Sequence, residues 1–383
     1  VTAPRILVVT VVHHPLDTRI LVRQIAALTA AGHEVTYAAP FAAFGVEPPA
    51  GVRALDLPRS SGRHRLSSVR TARQMIRQWA PEHDVVLIHD PELVVAAAGV
   101  TDTAVVWDVH EDTAVAVAYK DWIPRGLSRA AAVGVRGMER WAERHFSLLL
   151  AESAYAGRFR QPHAVVPNST LIDAQAPLPG PGRAVCVGTL TRARGALDVI
   201  EVGRLLRPQG IVVDVIGPAT ADVDDALRRA DLDGDIRWHG RLPHEEVVLR
   251  MRGATAGLSL LHNERNYRHS HPTKVFEYLA HGVPAVATPL PLVADLVERY
   301  DAGVIVPFHN PRAAAHAVVA LHEDDERRIR LGANGVEAVR TTHNWDDDAP
   351  KFVAAIEEAA RAGSRGPSSS RRRPARRRPV PPA

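Results

Sequence analysis

Lys274 and Glu277 stand one helical turn apart in the stretch HSHPTKVFEYLAHGVPAVATPLPLVADLVE, residues 269–298. Pro272 suits the first turn of a helix, where its missing N–H costs nothing. Gly282 suits a helix stop, and Pro284 to Thr288 reads as a buried strand. The unpaired amides at such a helix start favour an anion, and Lys274 adds a full positive charge to them. Glu277 would repel a phosphate, so its carboxylate is better used on sugar hydroxyls further out. The combination suits a nucleotide diphosphate. The bland alternative is an ordinary β/α turn with a solvated Lys and Glu.

Other polar clusters follow apolar runs. The run Asp84 to Ile88 delivers His89 and Asp90, and Ala104 to Trp107 delivers Asp108, His110, Glu111 and Asp112. Continuous apolar, β-branched runs of this kind mark parallel strands covered on both faces, and ligands bind beyond the carboxyl ends of such strands. Both clusters are therefore expected to face one crevice. The first strand, Ile6 to Val12, ends in HHPLDTR, where Asp17 and Arg19 read either as cleft residues or as a helix cap with a local ion pair. Metal binding is not expected, because the His and carboxylate clusters show no second His at helical spacing and no Cys partner.

The pattern P-x-K-x-x-E-Y-x-A-x-G-x-P-x-V-A-T, followed by Glu298, resembles the donor segment of GT-B glycosyltransferases, in particular the retaining family four. The resemblance implies an α/β chain of GT-B fold, with two doubly wound, Rossmann-like domains facing a central cleft. It implies sugar transfer from a nucleotide diphosphate sugar, as co-substrate and without a cofactor, to the hydroxyl of a carbohydrate, lipid-linked or small-molecule acceptor, with retained anomeric configuration. By the same resemblance Glu277 holds the donor ribose, Thr273 and Lys274 meet the diphosphate, and Glu298 lies near a second ribose or base contact. His269 occupies the position of a Glu that usually touches the transferred sugar.

In the turn GTLTRARG, Thr189 stands where an Arg is usual, Arg194 takes the place of a phosphate-binding Lys, and Arg192 is a candidate for the missing charge, with solvent exposure as its other reading. An Arg grips two phosphate oxygens at once, where an ammonium acts as a point charge. Around Gly240 the resemblance places the nucleotide base. His110 matches a histidine that approaches the donor sugar, while Asp17, Arg19, His89, Asp90 and Glu111 are expected on the acceptor side. Two other classes share the architecture. One is a nucleotide-sugar epimerase, and the other is a catalytically silent partner subunit, to which Thr189 and His269 at usually charged positions point.

The elements that must hold these residues divide the chain. Residues 1–166 are expected to form the acceptor-side domain and 167–342 the nucleotide-sugar domain. A helix over 343–362, anchored by Trp345, Phe352 and Ile356, is expected to cross back onto the first domain, ahead of an Arg/Pro-rich tail over 363–383. With 383 residues and 46% hydrophobic content, two sizeable cores are within reach. Eight arginines after Glu358 account for twice the formal charge of +4, so the body is net negative by four and no specific nucleic-acid partner is expected. The tail cannot bury an apolar face and is expected to be disordered.

Cys186 is the single cysteine, which excludes an internal disulfide and suits a reducing compartment. No apolar run reaches the roughly 18 residues of a membrane span. The cytoplasm is the expectation, with peripheral contact at the inner membrane face admitted because relatives often use lipid-linked acceptors.

Overall fold

A computed structural model describes residues 3–110, 128–173, 175–264, 267–268 and 273–364. Two parallel sheets organise it. The first contains β1 (Arg5–Val9), β2 (Glu34–Ala39), β3 (Arg53–Asp56), β4 (Val85–Ile88), β5 (Ala104–Val109), β6 (Ser147–Leu150) and β7 (Ala164–Val165), in the order β3-β2-β1-β4-β5-β6-β7. The second contains β8 (Arg183–Val187), β9 (Val212–Ile216), β10 (Arg237–Trp238), β11 (Ala256–Ser259), β12 (Ala285–Ala287) and β13 (Gly303–Ile305), in the order β10-β9-β8-β11-β12-β13.

The apolar runs became the central strands because helices cover both faces. Ile6, Leu7, Val8 and Val9 are all fully buried, with Leu7 and Val9 in the core on one face and Ile6 and Val8 in the core on the other. Each such side chain contributes about 1.5–3 kcal/mol on burial. The sequence pattern did not signal β3, β7 and β13, which are short edge strands without a fully buried apolar run. Sheet order reverses beside β1, between β4 and β2, and again beside β8, between β11 and β9. Such switch points open a crevice at the strands' carboxyl ends.

The segment after β1 opens with the wide turns of a π-helix over Thr18–Ile25 and continues as an α-helix over Ala26–Ala30. Asp17 caps it by accepting from the amides of Arg19 and Ile20. Arg19 and Arg23 lie four residues apart on its buried face. Among the described residues no helix is long and apolar enough to cross a membrane.

The chain passes between the domains at two adjacent places. The amide of Thr170 donates to the His343 carbonyl and the amide of Trp345 to the Thr170 carbonyl, while the Ser169 hydroxyl donates to Asp348. The final helix, Trp345–Ser364, then returns to the first domain, where Trp345, Phe352, Ile356 and Ala359 join the core beside Ile6 and Val8.

One glycine holds the cleft in shape. Gly195, at φ +77°, ends the turn carrying Arg194, and a Cβ there would lie 2.1 Å from the Leu260 carbonyl oxygen beyond β11. Gly195→Ala is therefore expected to cost at least about 2 kcal/mol, from positive φ and overpacking together. Chemical denaturation of the purified variant measures it; an unchanged midpoint would show that the two strand ends do not meet here.

Candidate active site

A cavity of about 390 Å³ opens between the two sheets. Its first-domain wall includes His13, Asp17, Arg19, Arg23 and His110, and its second-domain wall includes Gly188, Arg194, Tyr267, Thr273 and Lys274. His13 follows β1 and Gly188 follows β8, so both switch points deliver residues to the same space.

The second-domain wall is cationic. Lys274, in the first turn of the helix Thr273–Ala280, is only 8% exposed. Burial and the neighbouring Arg194 guanidinium lower its pKa. Arg194 is half-buried, and its turn is capped by Thr191, which accepts from the Arg194 amide. Among the described residues no carboxylate forms an ion pair with either cation. Tyr278 of the same helix buttresses the end of β8, accepting from the Val187 amide at 2.8 Å and donating to the Leu258 carbonyl at 3.1 Å.

The first-domain wall rests on Asp108. Arg19 holds this carboxylate with two parallel bonds, Nε to Oδ2 and Nη2 to Oδ1, both 2.7 Å, and Gln24 donates to Oδ2 at 2.8 Å. Burial pushes the carboxyl pKa up, but the Arg19 charge and hydrogen bonds, helped by His89, bring it well below the ordinary range. The remaining Arg19 donors reach Val166, Pro167 and Asn168 on the connector to the second domain.

The structure places several expected acceptor contacts inside this packing. Arg19 borders the cavity with its guanidinium already engaged. His89 is fully buried, with Nδ1 3.3 Å from Asp108 Oδ2. Asp90 is also fully buried, and its Oδ2 accepts from Thr10 Oγ1 and from the amides of Val11 and Val12, shaping the loop after β1. Asp17 does reach the cavity wall, while Glu111 lies outside the described residues.

Of the residues expected around the donor, Lys274, Thr273, Arg194 and His110 all line the cavity. Glu277 instead meets Arg23 of the first domain at 3.4 Å, a pair almost closed to solvent. Burial lowers the Arg23 pKa even with Glu277 opposing the shift. Arg192 points outward toward Asp222 at 4.0 Å with 63% of its side chain exposed, so it adds no charge to the cavity. Glu298 is exposed in the last turn of Pro291–Arg299. Gly240 borders a separate, shallower depression with Trp238 and Asp231, and its carbonyl accepts from the Gly217 amide. His269 lies outside the described residues.

His13 and Arg23 were not among the expected site residues. Two consecutive histidines directly after a buried strand were the available signal for His13; Arg23 carries none, since a helical arginine usually reads as solvated. His89, Asp108 and His110 bring three ligand-type atoms within 4.8 Å of one another, but the Arg19 guanidinium already occupies both Asp108 oxygens. Asp198, His262 and His309 form a second such group outside the cavity, where Asp198 and His262 satisfy each other at 2.7 Å.

Two Rossmann-like domains meeting across a cleft at their strand ends define the GT-B architecture. Comparisons with known proteins agree. The chain superimposes on sucrose-phosphate synthase from Thermosynechococcus elongatus with a TM-score of 0.71 and 16% identity, over 94% of this chain and 100% of that one. It superimposes on HepE of Anabaena in complex with UDP-glucose with a TM-score of 0.66 and 12% identity, over 93% and 100%. Residues 200–354 match the family described as glycosyl transferase-like. The D-inositol 3-phosphate glycosyltransferase of Corynebacterium glutamicum is 31% identical over 124 residues, 32% of this chain and 28% of the relative. The chain thus spans less than a third of the length of the curated relatives it matches.

Asp108→Asn would leave Arg19 buried against a neutral amide, at an expected cost of about 3–5 kcal/mol at neutral pH. Asp108 has a folded pKa below its unfolded one, so its stabilisation is present above the unfolded value and fades as pH falls through the folded value. The gap between wild type and variant, followed by denaturation from pH 7 down to about pH 3, is therefore expected to narrow in acid. A constant gap would contradict the assigned pairing.

Proposed function

We propose that this chain is a glycosyltransferase that moves a sugar from a nucleotide diphosphate sugar, held mainly on the second domain, to an acceptor hydroxyl presented by the first. The observation that carries the reading is a buried lysine and an arginine converging on the interdomain cavity without a counter-ion of their own among the described residues. Two uncompensated cations in a half-closed space are costly unless an anion joins them. A diphosphate satisfies both. As the bond to the sugar breaks, negative charge builds on the diphosphate oxygens, and Lys274, Arg194 and the amino end of the Lys274 helix stabilise that charge more in the transition state than before it. The fixed cations do the work a metal would otherwise do, so metal independence belongs to this reading.

Thr273 joins the diphosphate contacts, and His110 stands on the sugar side of the cavity. Glu277 takes up the donor ribose once Arg23 releases it. The similarity to a UDP-glucose-bound structure and to a glycosyltransferase acting on inositol 3-phosphate supports a nucleotide-sugar donor and a polyhydroxylated acceptor. Retention of configuration and membership of family four rest on the motif resemblance around Lys274 and Glu277.

Thermal-shift screening with nucleoside diphosphates is expected to show stabilisation by at least one of them, and Lys274→Ala and Arg194→Ala each to lower turnover about 100-fold or more. A folded Lys274→Ala variant with wild-type kinetics would refute the phosphate role. The lowered Lys274 pKa adds a direction: the lysine loses its charge earlier in the alkaline range than a free one, and the anion stabilises the charged form. Calorimetry in buffers of different ionisation enthalpy is thus expected to show proton uptake on nucleotide binding above neutrality, and none in a Lys274→Met variant.

A further inference from the structure

Asp198, His262 and His309 stand beyond the carboxyl ends of three strands of the second sheet, β8, β11 and β13, outside the interdomain cavity. One carboxylate oxygen and two imidazole nitrogens lie there within 4.8 Å of one another. The backbone fixes each of the three positions. Asp198 belongs to the first turn of the helix Ala196–Leu206. The His262 amide donates to the Ala193 carbonyl at 2.9 Å, and the His262 carbonyl accepts from the Glu264 amide at 2.8 Å. His309 precedes Asn310, the side-chain cap of the helix Pro311–Glu323, and has a φ of +54°. Left-handed backbone is disfavoured for a residue with a side chain, and such strain gathers at ligand clamps. The His309 ring centroid lies 4.1 Å from that of His262.

The polar contacts leave this group open to a cation. Asp198 Oδ2 and His262 Nε2 are 2.7 Å apart with a proton between them, and among the described residues no Arg or Lys pairs with Asp198. The His309 imidazole contacts His262 but makes no hydrogen bond among the described residues. The cluster of His89, Asp108 and His110 differs, because the Arg19 guanidinium holds both Asp108 oxygens and a metal would meet a fixed cation. Asp198 and His262 are 20% and 19% exposed, so water can reach the group. Two imidazoles, one carboxylate and a water suit tetrahedral Zn²⁺, whereas Mg²⁺ and Ca²⁺ favour shells of oxygen alone. Zinc bonds of about 2.0–2.1 Å set tetrahedral ligand atoms about 3.3 Å apart. A small inward turn of the exposed His309 ring reaches that spacing.

We propose that Asp198, His262 and His309 bind a zinc ion that braces the second-domain wall beside Arg194. The ion takes the place of the proton between His262 Nε2 and Asp198 Oδ2, which passes to solvent, and a water completes the shell. His262 is already bonded to Ala193, the neighbour of Arg194. The ion therefore ties the helix after Arg194 to the loop after β11 and to the segment after β13. It takes no part in sugar transfer.

Calorimetric titration of Zn²⁺ into the full chain, stripped with a chelator and dialysed to about pH 7.5, tests this. One equivalent is expected to bind with a Kd below about 1 μM, undisturbed by excess Mg²⁺ and weakened at least about tenfold in His309→Asn and in His262→Gln. Asn tolerates positive φ, so His309→Asn removes the imidazole and keeps the backbone. That exposed position decides alone should the His262 variant fail to fold. A wild-type Kd above that limit, or a folded variant within tenfold of the wild type, overturns the proposal and leaves an adventitious ion only. Either result leaves the transferase reading standing, because nucleoside-diphosphate binding and turnover are measured apart from it.

Discussion

The bidentate contact between Arg19 and Asp108 is the constraint on which the first-domain side of the cleft depends. It joins the helix that follows β1 to the end of β5, and through the spare Arg19 donors it also holds the connector at residues 166–168. A carboxylate this deeply buried stays ionised because a guanidinium offers two matched bonds at no further reorganisation. With Asp108 fixed, its carbonyl orients His110, and His110 in turn orients His13. The geometry at the cavity surface is set two layers beneath it.

The second domain solves the opposite problem. Its cavity wall carries positive charge that no carboxylate among the described residues pairs, with Lys274 buried and Arg194 near enough to lower its pKa. Stability would be better served by an apolar side chain at Lys274, so the site holds a charge at the expense of the fold. The first domain pairs Arg19 with Asp108 internally and Arg23 with Glu277 across the cleft, while Lys274 and Arg194 of the second have no carboxylate partner among the described residues. That asymmetry suits one domain that grips an anion and another that shapes a neutral, hydroxyl-rich partner.

Much of the fold was legible because it rests on local pattern. Continuous apolar runs marked the central strands, and Trp345, Phe352 and Ile356 marked the helix that packs on the first domain. Lys274 and Arg194 were singled out because each matches a motif position at a helix or turn start punctuated by Pro or Gly, and both line the cavity. Arg19, His89 and Asp90 were harder, since a polar residue at a strand end looks the same whether it faces the cleft or holds the loop beside it. Three-dimensional pairing decides, and Asp108 and the amides after β1 claimed all three. Arg23 was missed as a partner of Glu277, because it lies 254 positions away in the chain and nothing local announces the encounter.

The paired crossings at Thr170 and Asn344 tie the two halves at one place, because the two peptide segments lie side by side and are hydrogen-bonded to each other. The Arg23–Glu277 contact ties them again across the cleft, so any widening of the gap has to break that pair.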